Sequence, residues 1–362
     1  MSTESTSPII VKDSSFLLKL FARHPFFIIL GRMLLVIALL AVLYYQLFER
    51  KDVTLGALYE LFIAQLSIQR LPVFVMIVLL MPINWLIETQ KWVILLQPIQ
   101  QLQVFQALKV VLIGLTGSLF TPNRIGEYGG RLLLLAAPKR PKAIYATLLG
   151  ACSQWIVLVL LGWWALMIAF SQGWLTIPSH WLWGLLIVGG LGSMLLLLIY
   201  FNLKKFLSWM ITWHWAAKWT KSIQKTPFDY YQPTMLWTAL GYALLRSLTY
   251  SVQYVGLLYF FGYSGSWLIM LIGVFIVYLL QTGIPLPPST GLLARGNIAL
   301  LIFGNLQPHA LSSSILAATF GLWLLNVILP ALWGAWFMMR INNCKEQKIP
   351  NSRRLKVNSY QK

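Results

Sequence analysis

The chain has 362 residues, of which 58% are hydrophobic and only 10% charged, with a mean hydropathy of +0.72. A soluble domain carries nearer a quarter charged residues, so this balance excludes an ordinary globular protein and marks an all-α polytopic membrane protein. The net charge of +19 does not call for a nucleic-acid partner: the basic residues fall in loops between apolar segments, where orientation bias and attraction to anionic lipid account for them.

In chain order, residues 1–25 form a polar, basic tail, and the apolar stretch 26–48 behind it is too long for the core of a cleavable signal peptide. Further stretches of crossing length follow at 71–96, 143–170, 181–203, 234–262 and 314–339. Two others, 104–136 and 267–304, are each broken in the middle by Pro, Gly and Arg. The connection 204–233, with Trp209, Trp213, Trp215 and Trp219 among lysines, reads as an amphipathic surface helix. Residues 340–362 form a second basic tail.

Charge counting decides how the broken stretches are used. With both as re-entrant hairpins and six full crossings, 18 Lys/Arg fall on the cytoplasmic side and 3 outside. With eight plain crossings the best orientation leaves 14 inside against 10 outside. The first division fits the positive-inside bias far better. The expectation is therefore six transmembrane helices, two Pro/Gly-broken re-entrant hairpins and both termini cytoplasmic. A single membrane domain spans 26–339.

That layout contains a repeat. Residues 26–170 read span, loop, span, hairpin, span, and 181–339 repeat the order. The first half starts inside and the second outside, so the halves have inverted topology. Inverted repeats with interrupted helices at the midplane are an architecture of secondary transporters. Pro-broken hairpins also occur in membrane proteins that transport nothing.

The hairpin tips carry the ionisable groups. The first reads Thr121-Pro122-Asn123-Arg124-Ile125-Gly126-Glu127-Tyr128-Gly129-Gly130-Arg131. Pro122 suits the first turn of a half-helix beginning near Asn123, and Gly126, Gly129 and Gly130 permit close backbone approach. Arg124, Glu127 and Arg131 share one helical face and can form an Arg–Glu–Arg ladder. One reading has Glu127 holding guanidiniums that offer forked donors to a phosphate or carboxylate. The other is a structural ion network that pins the hairpin. The second tip, Pro285-Leu286-Pro287-Pro288-Ser289-Thr290-Gly291, leads to Arg295, the sole charge of its hairpin.

Upstream, Asn84, Glu88 and Lys91 share a face of the second span. Glu88 either neutralises Lys91 near the interface, with Lys91 snorkelling, or turns inward toward Arg124 or Arg131. Arg246 lies near mid-span and is a secondary candidate. The candidate substrate-binding residues are Arg124, Glu127, Arg131, Arg295, Glu88 and Asn84. Pro122, Asn123, Gly126, Pro285, Pro287, Pro288 and Gly291 shape the tips.

Cys152 and Cys344 imply no disulfide framework, and His24, His180, His214 and His309 are scattered. No spacing suggests a metal site or a nucleophile–base pair, so neither a cofactor nor enzyme activity is expected.

Asn84-Trp85 with Glu88 and Lys91-Trp92, then Thr121–Glu127, then the Pro-rich second hairpin, resemble the lysylphosphatidylglycerol synthase transmembrane region family, also called flippase-like or uncharacterised protein family 0104. The resemblance covers roughly residues 20–340. It implies a multi-spanning protein of the inner (cytoplasmic) membrane. In the synthases this region resembles a lipid-translocating module followed by a soluble aminoacyl-transferring domain. That domain is not expected here, since the chain ends about twenty residues after the last span. The family's second tip is commonly Pro-Gly-Gly-Leu-Gly-like and followed by glutamate, where this chain has Pro287-Pro288-Ser289-Thr290-Gly291. Ser153-Gln154-Trp155 stand where a Glu-Arg pair is common. Both changes remove charged partners.

The expected function is flippase-like transport of a lipid or other amphipathic anion, with membrane lipids as partners. The alternative is a non-transporting partner or scaffold of a cell-envelope enzyme.

Overall fold

The computed structural model describes residues 55–119, 121, 125–132, 135, 140–174, 179–203, 205–206, 209, 231–282, 288–307 and 312–346. Every regular element among them is helical: α1 (Leu55–Gln65), α2 (Leu71–Leu96), α3 (Val104–Ser118), α4 (Ile125–Leu132), α5 (Arg140–Ser171), α6 (Ser179–Phe201), α7 (Pro233–Phe260), α8 (Trp267–Thr282), α9 (Pro288–Leu306), α10 (Ser312–Trp323), a π turn (Leu324–Ile328) and α11 (Leu329–Glu346). The expected first span, 26–48, and most of the expected surface helix at 204–233 lie outside the described residues. So do both chain tails, apart from the end of α11, which runs past the expected boundary at 340 to Glu346.

The segments Leu71–Leu96, Ala143–Ser171 and Ser312–Arg340 are long and apolar enough to cross a membrane. Val104–Ser118, Ile187–Phe201 and Trp267–Thr282 are shorter apolar helices. Helix α7 has the length for a crossing at 28 residues, but Arg246 and a run of Ser, Thr and Gln dilute its apolar character. Exposure is inverted relative to a soluble protein. Large apolar groups such as Val188, Leu191 and Met194 on α6 face outward, while Lys91, Glu88 and Arg131 are buried. Hydrocarbon outside and polar groups inside account for that arrangement.

The chain divides into two units, Gln46–Gly334 and a smaller one containing Ala335–Lys362. In the smaller, Arg340 lies 4.0 Å over the Trp336 ring. The fold of the larger follows from helix pairing. Proline opens α2 and α7 within their first two positions, where a missing N–H costs little. These two long helices pack along each other and on α5. Between α7, α8 and α9 lies an aromatic core in which the Tyr254, Tyr263 and Phe303 rings meet.

Helices α3 and α4 form a tight antiparallel hairpin. A Cβ on Gly126 would stand 2.1 Å from the Gly117 carbonyl oxygen, and one on Gly130 would stand 2.4 Å from the Gly114 Cα. Only glycine allows that approach. A Cβ on Gly129 would meet nothing within 4 Å, so the close packing expected of it is not found. Thr121 closes the turn: its Oγ1 accepts the Gly126 N–H at 2.7 Å and donates to the Gly117 carbonyl at 3.3 Å. Helices α8 and α9 pair in the same sense, Gly273 lying against Phe303 and Leu306.

Each of these helix pairs also packs on a helix distant in the chain. Gly162 of α5 faces Phe275 and Leu279 of α8, and Gly334 of α11 faces Leu112 of α3. Thr116 of α3 donates to the Ala331 carbonyl at 2.7 Å.

Candidate functional site

Glu88 is the hub of a buried charge cluster. It projects from α2, whose 3.6-residue period places Asn84, Glu88 and Lys91 on one face turned toward the bundle. Oε2 lies 2.7 Å from Lys91 Nζ and 3.2 Å from Arg246 Nη1 of α7. Oε1 accepts from Arg131 Nη2 of α4 at 2.9 Å. The same Arg131 nitrogen pairs with Glu127, one turn back on α4. One carboxylate thus joins α2, α4 and α7.

Gln154 of α5 completes the ring. Its Oε1 accepts from Lys91 Nζ at 3.4 Å and from Arg246 Nη1 at 3.5 Å, and its Nε2 donates to Ser247 Oγ at 2.6 Å. Two tryptophans of α2 flank the cations, with Arg131 5.7 Å from the Trp92 ring and Arg246 5.4 Å from the Trp85 ring. Trp92 Nε1 donates to Thr147 Oγ1 at 3.2 Å. Side-chain exposure is 1% for Lys91, 2% for Arg131 and 7% for Glu88, but 17% for Arg246. Lys91 therefore does not snorkel as one reading had it, because Glu88 and Gln154 hold its ammonium inside. Among these described groups, three cations face the two carboxylates Glu88 and Glu127.

Below the cluster runs a relay of amides. Asn84 Nδ2 donates to Asn326 Oδ1 at 3.0 Å, Asn326 Nδ2 to Gln253 Oε1 at 2.7 Å, and Gln253 Nε2 to the Ile77 carbonyl at 2.8 Å. It links α2, the π turn and α7. Asn84 thus belongs to a buried hydrogen-bond chain one turn from Glu88, not to the ring of charges itself.

Of the residues expected at the site, Glu88, Glu127 and Arg131 come together. Arg295 sits elsewhere, half-buried on α9 within electrostatic reach of the Tyr254 and Tyr278 hydroxyls. Pro288 and Gly291 fall in the first turn of α9. Arg124, Pro122, Asn123, Pro285 and Pro287 lie outside the described residues. The sequence reading gave Arg246 a secondary place and Gln154 none. A polar amide inside an apolar span was the available signal for Gln154. No group of His, Cys, Asp and Glu suited to a metal ion occurs among the described residues.

The chain matches no protein-family model, no curated protein and no solved structure. The family resemblance accordingly rests on the residues quoted for it, and the functional reading rests on the cluster.

Proposed function

We propose that the chain is a flippase-like membrane transporter of a lipid or other amphipathic anion, lodged in the inner membrane with both termini cytoplasmic. In this reading α3–α4 and α8–α9 are re-entrant hairpins, and the two halves are inverted copies that rock about a midplane site. The observation that carries it is the cation excess turned into the bundle: buried Lys91 and Arg131 and half-buried Arg246 around Glu88, with Glu127 as the second carboxylate. Charge at such depth is costly, and a net positive cluster at a helix crossing is suited to a passing anion. The crossed docking of the hairpins supports the inverted relation. Trp92 and Arg131 lie 162 and 164 residues before Tyr254 and Arg295; Arg131 stands 5.7 Å from the Trp92 ring, and Arg295 is within electrostatic reach of the Tyr254 hydroxyl. Arg124, Arg131 and Arg295 are assigned to headgroup contact, and Glu127 and Glu88 to orienting the guanidiniums.

The test is movement of a fluorescent phosphatidylglycerol analogue between leaflets of reconstituted vesicles. Arg124→Gln or Glu127→Gln, in protein that still folds, should abolish it. Unchanged movement in both removes the assignment.

A further inference from the structure

The cluster keeps unfilled hydrogen-bonding groups, donors and also the acceptor Glu88 Oε2, which meets its cations as ion pairs. Arg131 Nε, Arg246 Nε and Trp85 Nε1 are all buried, and none has a hydrogen-bond partner. Both guanidiniums touch Glu88, and Arg246 in turn lies over the Trp85 ring. A buried donor left unfilled is destabilising, and more so on a charged group. Native interiors seldom keep three of them in one cluster.

The cations are held unequally. Lys91 contacts Glu88 at 2.7 Å and is 1% exposed, and Arg131 is clamped between Glu88 and Glu127 at 2%. Arg246 is 17% exposed, and it lies farther from each shared partner than the other cations do: 3.2 Å from Glu88 against 2.7 and 2.9 Å, and 3.5 Å from Gln154 against 3.4 Å. It is the one cation of the ring that reaches a surface while keeping an unused N–H inside.

We propose that Arg246 is the arm that takes the anionic group of the ligand, with Trp85 Nε1 and Arg131 Nε as the other donors and Lys91, Glu88 and Gln154 as its fixed frame. This rests on the anion-transport reading, keeps Arg131 of α4 and adds Arg246 of α7 and Trp85 of α2 to the ligand contact. The ligand class is an oxyanion with terminal oxygens that accept only, the chemistry shared by a phosphodiester headgroup, a fatty carboxylate and free phosphate. A charged forked donor prefers such an acceptor. Gln154 is the selective element. Its neutral Oε1 meets both Lys91 and Arg246, so a carboxylate there would fill the site with the protein's own charge.

The experiment uses the full chain in neutral detergent and follows thermal unfolding with dihexanoylphosphatidylglycerol, hexanoate or inorganic phosphate, and with uncharged dihexanoylglycerol as reference. The wild type should be stabilised by at least one oxyanion and not by the neutral lipid; the response to phosphate alone separates a free anion from a headgroup. Arg246→Gln should weaken the effective ligand on the order of tenfold or more, and Trp85→Phe by a few-fold. Gln154→Glu should remove the response while raising the unfolding temperature of the unliganded protein, an outcome that misfolding cannot imitate. If Arg246→Gln and Gln154→Glu both respond as wild type, the arm assignment is wrong and the transport reading survives. If the wild type responds to no oxyanion, the transport reading itself falls.

Discussion

Glu88 faces Lys91, Arg131 and Arg246 at once. The charge of one residue therefore decides whether the three cations of the ring attract a common centre or repel one another. Glu88→Gln keeps the shape and removes the centre. Breaking a buried ion pair from one side costs about 3–5 kcal/mol, because the partner charge stays buried without compensation. A loss of that order is expected, read as a lower unfolding midpoint in detergent. Lys91→Met, which deletes a charge and leaves an apolar stem, should cost less. Equal stability of Glu88→Gln and wild type would mean that water, not protein, solvates the cluster. Part of this site was legible in the sequence. Helical spacing puts Asn84, Glu88 and Lys91 on one face, and puts Glu127 within a turn of Arg131. Arg246 and Gln154 were harder to place because their partners lie on other helices. The rotation of α7 and α5 about their axes is set by packing across the bundle, which no local pattern records.

At the scale of elements, the amide relay joins two helices at their weak points. Pro82 has no N–H to give the Val78 carbonyl, and Pro330 has none for the Asn326 carbonyl. The π turn Leu324–Ile328 ends two residues before Pro330, and two residues past Pro82 is Asn84. Asn326→Leu would leave Asn84 Nδ2 and Gln253 Oε1 without partners. A single interhelical hydrogen bond in a membrane protein averages only about 0.6 kcal/mol, but each buried group left unpaired costs about 1–3 kcal/mol. The second effect is larger, so Asn326→Leu should destabilise clearly in chemical unfolding, whereas stability within 0.5 kcal/mol of wild type, about the size of a neutral surface substitution, would show that the relay does not hold these helices. The glycines of α4 offer a sharper pair. Gly130→Ala drives a Cβ to 2.4 Å from the Gly114 Cα, and overpacking of that kind costs about 1–3 kcal/mol. Gly129→Ala meets nothing and should be neutral or stabilising by up to about 1 kcal/mol through helix propensity. The sequence pointed to close approach at all three glycines of this helix. It could not separate Gly129 from the others, because eight residues make little more than two turns and the facing helix selects the side.

Across the described helices, α8 packs on α5 and α3 packs on α11, each contact made at a glycine. Gly162 admits the backbone of α8, and Gly334 admits that of α3. What distinguishes the proposed re-entrant layout from eight plain crossings is which side the ends of each hairpin occupy. Helices α3 and α8 have 15 and 16 residues. At 1.5 Å per residue these span about 23 and 24 Å, short of the roughly 30 Å of hydrocarbon. A hairpin that enters and returns needs no more, provided that its tip lies against protein or a water-filled cavity. The layout then requires Gln101 and Lys142, flanking the first hairpin, to share the cytoplasmic side, and Ser264 and Gln307, flanking the second, to share the outer side. Eight crossings would instead separate Gln101 from Lys142. With Cys152 and Cys344 replaced by serine, single cysteines at these four positions can be labelled by a membrane-impermeant maleimide in right-side-out and inverted vesicles. Q101C and K142C should react from one side, and S264C and Q307C from the other. Reaction of Q101C and K142C from opposite sides would turn α3 into a full crossing and remove the inverted repeat on which the rocking mechanism depends.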